Sequence, residues 1–545
     1  MQLVRRDFVA AMTAGTVGAL AGTSLSVSSV PAFADEAASV SDSASQLMDA
    51  AYDALSEDAI EQVSCDVVVI GAGPAGMSAA ITAAENGLTA VVLEKTSVSG
   101  GCAKYGMGPL AIGSKYQEEQ GIDLDLAQML AEFSEYTHFR TNLPLVQEYF
   151  SRSNETLEWL NDMGVEFDEA ARYFEKSYPT WHLVHSEGGV VGGGQASTMT
   201  EHLQARAEEL GVTFYFETPA CKLEVEDGVL KGVCAVAADG STGYHFDTTA
   251  AVVATGGFGN NEVMVAKQFG LTLKQDFFGM QFPGHEGDGV NMVWQAGGKK
   301  SVMIEEMIYD IYRPNTEGSY TSDIKLVMQQ GNLIVNQQGK RFFNEEQVQN
   351  TTYTGNALCH QTGNTGFAIV DEDIKAGYVA DNAVPFTSKV WNCDDFSQFD
   401  ANFAEMEASG YNAIVRADTL EELAEKLGID AEGLTTTIDE YNAVCEAGVD
   451  PLGKSAEYLK PIKTAPFYGA QFFPSSYGTL GGIWVDEELQ VMGTDDKPIA
   501  GLFSAGTDSC TVYGDSYMFL LPGNTMGYSI NTGRFAGESV TAYLA

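Results

Sequence analysis

The chain has 545 residues, 45% of them hydrophobic, and its 58 glycines follow no repeat. That is a globular composition, long enough for two or three cored domains, and it excludes collagen-like and low-complexity classes. The formal charge of −46, from 75 acidic against 29 basic residues, would repel phosphates and excludes nucleic acid as a partner.

The acidity reads as surface solubility, with docking of a basic electron-transfer protein as the alternative. The eight cysteines are Cys65, Cys102, Cys221, Cys234, Cys359, Cys393, Cys445 and Cys510. None stands in C-x-x-C or C-x-x-C-H spacing, so neither a metal site nor an attached c-type haem is expected. Cys65 and Cys234 lie in apolar, strand-like runs and read as buried thiols.

The chain opens Val4-Arg5-Arg6-Asp7-Phe8-Val9. A weakly hydrophobic run follows to Val30, and Ala32-Phe33-Ala34 closes it as an A-x-A site. Paired arginines ahead of such a run mark a twin-arginine signal. Residues 1–34 are therefore expected to be removed on export to the periplasm or the outer face of the cytoplasmic membrane. The Gly, Thr and Ser content of the run makes it a poor anchor, and no integral membrane segment is expected after cleavage. Residues 35–61 are acidic and Ala/Ser-rich, and read as a linker or surface helix.

At Cys65-Asp66-Val67-Val68-Val69-Ile70 the pattern becomes that of a buried parallel strand. Gly71-Ala72-Gly73-Pro74-Ala75-Gly76 follows, then an Ala-rich helix to Asn86-Gly87, a second apolar strand Ala90-Val91-Val92-Leu93, and Glu94-Lys95. Gly71 allows the tight turn and Gly73 lets backbone approach a pyrophosphate at the helix N-terminus. Gly76 lets helix and strand pack closely, and Glu94 is placed for ribose hydroxyls. The expected fold is α/β with a Rossmann-type dinucleotide domain. The fingerprint by itself leaves FAD and NAD both open.

Further segments continue in order. They are Gly100-Gly101, Ala251-Val252-Val253-Ala254-Thr255-Gly256-Gly257, Gly339-Lys340-Arg341-Phe342-Phe343-Asn344-Glu345, Thr479-Leu480-Gly481-Gly482 and Gly523-Asn524. With them the chain resembles the fumarate reductase/succinate dehydrogenase flavoprotein family, in its soluble bacterial branch with urocanate reductase-like and 3-ketosteroid dehydrogenase-like relatives. The resemblance covers roughly residues 65–545 and implies non-covalent FAD. It places the FAD domain in two pieces, 62–282 and 478–545, around an α+β cap at 283–477. It also implies a cofactor set of Gly71, Gly73, Ala75, Gly76, Glu94, Lys95, Gly100, Gly101, Cys102, Ala220, Thr255, Gly256, Gly257, Gly506, Asp508, Gly523, Asn524 and Thr525.

At the substrate end the chain departs from that pattern. Four residues after the Glu of G-x-R-F-x-N-E, where fumarate-acting members carry an arginine acid, stands Gln349. The nearest tyrosine, the residue steroid-acting relatives place there, is Tyr353. Tyr477 replaces the histidine two residues before T-x-G-G, and Leu520, beside Leu521, replaces the arginine before Gly-Asn. Where relatives have His-Pro this chain reads Tyr312-Arg313-Pro314, which leaves Arg313 as the expected carboxylate partner. Arg313, Gln349, Tyr353 and Tyr477 are thus candidate catalytic residues. Tyr105, Tyr312, Leu520 and Leu521 are candidate substrate contacts, with core packing the alternative for each tyrosine. His285-Glu286-Gly287-Asp288-Gly289 reads as turn chemistry plus capping of the next helix.

A lost clamp removes charged hydrogen bonds of about 1.5–3 kcal/mol each. The expected substrate is therefore a larger, less charged, ring-bearing alkene such as an enone, steroid, phenylpropanoid or polyphenol, rather than fumarate. The expected reaction is reduction of its C=C bond by hydride from flavin N5 in anaerobic respiration. The alternatives are 3-ketosteroid dehydrogenase-like desaturation and a non-catalytic flavin electron carrier. Because no fused haem or flavinylation sequence occurs, a separate quinol-linked cytochrome or FMN-bearing protein is the expected electron donor.

Overall fold

The computed structural model describes residues 49–314, 316–385 and 389–545. The expected signal peptide and most of the acidic linker lie outside them. Nine elements position the site: β1 (Val67–Ile70), α1 (Pro74–Glu85), β2 (Ala90–Leu93), β3 (Ala251–Val253), β4 (Lys300–Ile311), α2 (Thr351–Leu358), β5 (Phe467–Ile483), β6 (Pro498–Ser504) and α3 (Asn524–Leu544).

The valine-rich runs form the middle of a ten-stranded sheet, in the order Ile60–Ser64, Gly243–Asp247, Val229–Val236, β6, β3, β1, β2, Thr213–Tyr215, with Ala220–Glu226 paired to Val229–Val236 and Gln490–Met492 to β6 off this path. β1 is fully buried and pairs in parallel with β2 and β3, while β6 pairs in parallel with β3. Continuous apolar sequence is what a strand covered on both faces requires. The C-terminal β6 thus completes the sheet begun by the N-terminal strands, so the first domain is built from both ends of the chain.

Small residues set the helix packing. A side chain at Gly533 would overlap the carbonyl of Ala75, and one at Gly537 would crowd that of Ala79. α3 therefore lies parallel to α1, almost backbone to backbone, with Gly533 beside Ala75. At 1.5 Å per residue its N-terminus at Asn524 projects about 12 Å beyond that of α1. The two helix N-termini bracket an extended track along the C-terminal edge of the parallel strands.

A second, five-stranded sheet takes β4, β5 and the strands Leu333–Val335, Gly366–Asp371 and Ile414–Ala417, over a separate apolar core. β4 and β5 are antiparallel, with irregularities between Lys300 and Met303 and between Glu305 and Met307. This sheet begins at Lys300. The helix Asp288–Gln295, inside the expected cap span, instead packs on the first domain, because Gly289 sits against Val253 and Thr255 where no side chain would fit. At the other end β5 runs through position 477 to Ile483. Arg341 forks between Glu345 (2.6 and 2.7 Å) and Asp450 (2.7 and 2.9 Å), both fully buried carboxylates. The G-x-R-F-x-N-E motif is thus a buried ionic clasp that fixes the turn leading to Gln349.

Candidate functional site

The glycine loop after β1 makes a cradle at the N-terminus of α1. Gly73 has ordinary extended backbone (φ −75°, ψ 178°), and a Cβ there would meet no protein atom within 4 Å. Glu94 is held by two backbone donors, Ala72 N–H to Oε2 at 2.9 Å and Thr96 N–H to Oε1 at 2.8 Å. Lys95 turns to Glu286 and Asp288 at 2.9 and 2.6 Å and so ties the loop after β2 to the 284–289 turn. Gly100 and Gly101 are both left-handed, and a Cβ on Gly101 would sit 3.3 Å from the Gly73 Cα. Cys102 is the second residue of the short helix Gly101–Tyr105. Ala220 is buried at the head of the strand Ala220–Glu226.

Asp508 acts through the backbone. Its Oδ2 accepts from Thr255 N–H, from the Thr255 hydroxyl at 2.8 Å and from Gly256 N–H at 3.3 Å, while Oδ1 accepts from Gly257 N–H at 2.7 Å. Burial still holds its carboxyl above the usual range. It organises the loop after β3. Gly506, where a side chain would collide with that of Ala75, keeps this turn against α1.

At the far end of the track Gly523 precedes α3 in left-handed conformation, and Asn524 is buried with neither side-chain amide atom hydrogen-bonded. Buried polar atoms without partners are rare in native proteins. An orphaned amide at one end of an extended track, with a glycine cradle and helix N-terminus at the other, fits a dinucleotide carrying a polar ring system. Gly71, Gly73 and Gly76 would hold the pyrophosphate side. Asn524, Thr525 and the Thr255–Gly257 loop would lie toward the flavin, which when bound supplies hydride chemistry at N5.

Beyond that end lies a feature that the family pattern does not anticipate. Opposite the Ser476–Thr479 stretch of β5, β4 presents Glu305 and Glu306, both buried. Glu306 Oε1 accepts from the Thr525 hydroxyl at 2.6 Å. Burial pushes its carboxyl up to about 7, and hydrogen bonds from Thr525 and Tyr517 only partly offset this. Cys102, Cys510, Tyr477, Tyr513 and Tyr517 all feel its charge. Among the described residues no cationic side chain holds its proton affinity down. Glu305 is also pushed to about 7 by burial; Ser476 approaches it, but neither carboxylate oxygen has a well-formed hydrogen bond.

The candidate residues separate into two groups. Tyr477 lines a narrow cleft with Phe282, His285, Ser476 and Gly478, and its hydroxyl is held well above the normal range by burial. Tyr105 stacks on Phe282 at 5.1 Å, which brings it to the same cleft. Tyr353 stacks on Tyr136 at 5.4 Å and is exposed, and Gln349 is buried just before α2. Leu521 is fully buried, and the backbone carbonyl of Leu520 accepts from Tyr178 N–H.

Arg313 and Tyr312 are not brought to this place. Tyr312 N–H pairs with Gln471, well down the cap sheet from Tyr477, and its ring packs on Phe278 at 4.1 Å. The Arg313 guanidinium donates to the carbonyl of Lys426 at 2.9 Å. The expected carboxylate partner is therefore spent on the cap's own backbone, and the stretch of β4 that faces Tyr477 lies at Glu305–Met307. Two buried acids in the apolar run Met303 to Ile308 were the signal in the sequence. His285, read as turn chemistry, also lines the cleft; burial, then the nearby Lys95 charge, lowers it to about 4, which keeps the imidazole neutral.

Comparisons with known proteins place the chain in a family. The chain is 32% identical over 488 residues to a vinyl phenol reductase of Lactiplantibacillus plantarum, covering 88% of this chain and 97% of the relative. It is 27% identical to a cytochrome fumarate reductase of Shewanella frigidimarina, over 88% of this chain and 77% of that one. In fold it is similar to the 3-ketosteroid Δ1-dehydrogenase of Sterolibacterium denitrificans, with a TM-score of 0.70 at 19% identity over 88% of this chain and 99% of that one. The FAD binding domain model matches residues 66–525, and the chain belongs to that FAD-binding family.

Proposed function

We propose that this FAD-dependent oxidoreductase of CH–CH bonds reduces the C=C bond of an uncharged, ring-bearing alkene of the vinyl phenol kind. The observation that carries the reading is the Glu305–Glu306 pair opposite Tyr477, with no cation among the described residues to offset it. A dicarboxylate placed there would lose the charged hydrogen bonds that fumarate needs, about 1.5–3 kcal/mol each, and would meet like charge in a desolvated site. A neutral ring avoids both costs and suits the aromatic walls of Tyr105, Phe282 and Tyr477. The similarity to a vinyl phenol reductase along nearly the whole of both chains supports the same substrate class.

In this reading FAD is held without a covalent link. Electrons arrive from a separate quinol-linked carrier, and the chain is exported by its twin-arginine signal. No helix among the described residues is long and apolar enough to cross a membrane. Changing Arg5 and Arg6 to Lys should leave the protein inside the cell, and acid precipitation should release free FAD. The decisive assay is anaerobic reoxidation of the dithionite-reduced flavin. 4-Vinylphenol should reoxidise it faster than fumarate and yield 4-ethylphenol. Faster reoxidation by fumarate, or dye-linked oxidation of saturated ring ketones without any alkene reduction, would overturn the proposal.

A further inference from the structure

Resting on that substrate reading, we infer that Glu306 is the recognition residue for an aromatic hydroxyl, accepting the O–H of a phenolic ring bound between Tyr477 and the N-terminus of α3. Four observations place it there. It sits on the part of β4 that faces Ser476 and Tyr477. One of its oxygens is already anchored by Thr525, the residue next to the unpartnered Asn524 amide. Its other polar neighbours, Tyr517, which also hydrogen-bonds it, and Tyr477, Tyr513, Cys102 and Cys510, are weak acids rather than cations. Aromatic side chains stand beside Tyr477, with Phe282 in the same cleft and Tyr105 stacked on Phe282.

The chemistry matches the substrate's need. A vinyl group on a phenol has no carbonyl to polarise it, so electron density must come from the ring oxygen. A carboxylate accepts an O–H in a charge-assisted bond about twice as strong as a neutral one. The buried carboxyl, poised near neutrality, is also matched for proton exchange with a weak acid. When the hydroxyl proton moves to Glu306, the O–H electron pair stays on the ring oxygen. Electron density from that oxygen lets the terminal vinyl carbon take one proton from solvent. The benzylic carbon of the resulting quinone methide takes a hydride, one proton with two electrons, from the reduced flavin, so that the ring oxygen is again a phenolate. Return of the hydroxyl proton after reduction gives the product phenol and leaves Glu306 as it began. Glu306 is not consumed. Glu305, without a hydrogen-bond partner and facing Ser476, is not given this role.

The test is equilibrium binding to the oxidised holoenzyme, followed by perturbation of the flavin absorbance, so that no turnover is involved. 4-Ethylphenol and its O-methyl ether, 4-ethylanisole, differ only in the O–H. Wild-type protein should prefer the phenol by at least about tenfold, the equivalent of one hydrogen bond to a charged group. Glu306→Gln, nearly isosteric and able to keep the Thr525 contact, should cut that preference to about threefold or less with flavin content unchanged. No preference in the wild-type protein, or an equal preference in Glu306→Gln, would overturn the inference. If 4-vinylphenol reoxidises the reduced flavin while the preference is absent, only the role of Glu306 fails. If 4-vinylphenol does not react, the substrate reading fails first and this inference with it.

Discussion

Gly73 offers a perturbation in which the protein and its cofactor should respond in opposite directions. Its backbone is one that any residue adopts, and a Cβ there would meet nothing in the protein. Gly73→Ala should therefore leave the apoprotein intact, or stabilise it by about 0.4–1 kcal/mol through a less flexible unfolded chain. The same methyl group projects into the cradle at the N-terminus of α1, where the pyrophosphate would lie against backbone N–H groups. Pushing that anion away forfeits one charged hydrogen bond or more, about 1.5–3 kcal/mol, or roughly 10- to 150-fold in Kd for FAD. Titration of apoprotein with FAD, beside a thermal melt of the apoprotein, measures both sides. Gly71→Ala and Gly76→Ala serve as contrasts, since their side chains would overlap the carbonyls of Ala254 and Gly71 and damage the fold itself. Wild-type FAD affinity in Gly73→Ala, or an apoprotein as damaged as in the other two, would refute the reasoning.

Glu305 gives a pH signature. It ionises near 4.5 in the unfolded chain and near 7 in the folded one, so folding takes up a proton between those values and stability falls as pH rises through them, by about 3 kcal/mol at most. Urea midpoints of Glu305→Gln should therefore gain on wild type between pH 5 and pH 8, and parallel curves would count against the burial argument. Arg341→Met leaves buried Glu345 with the Lys454 ammonium at 3.6 Å and buried Asp450 with the Lys454 backbone N–H at 3.1 Å, and should destabilise the cap by about 3 kcal/mol in urea unfolding. Arg341→Lys should rescue little, because one ammonium cannot replace the fork. Tyr477→Phe should lower turnover about three- to tenfold with flavin content unchanged, the loss of one neutral hydrogen bond, whereas Arg313→Ala should leave turnover as it is; the opposite ranking would put the site elsewhere on the cap.

The cofactor half of the molecule was legible in the chain because its signals are local. The valine runs, the glycine turn and the terminal acid of β2 lie within one short unit, and each demands a particular backbone. Asp508 was harder to read. Its place near the flavin motif was evident, but its commitment to the Thr255–Gly257 backbone exists only once β3 and β6 are neighbours. The substrate half depends on register between distant strands. Tyr312-Arg313-Pro314 looks like the His-Pro of relatives by residue type, yet antiparallel pairing sets it opposite Gln471, while the irregularity at Glu305–Met307 decides what meets Tyr477. A paired acid in an apolar run carries no periodic signature of its own. Its meaning depended on the facing strand.

That facing strand, β5, belongs to two structures at once. Residues 467–472 are stitched into the cap sheet, while Thr479, twelve residues along from Phe467, accepts the Phe258 N–H of the flavin loop through its hydroxyl. Between these anchors lies Tyr477, and just after it come glycines at 478, 481 and 482 with positive φ. The strand works as a shaft held in two bearings. Because β4 stays paired with it from Phe472 to Ile483, any rotation of one domain against the other is delivered as twist to this two-stranded ribbon, so the attitude of the cap and the shape of the wall around the substrate are one mechanical variable.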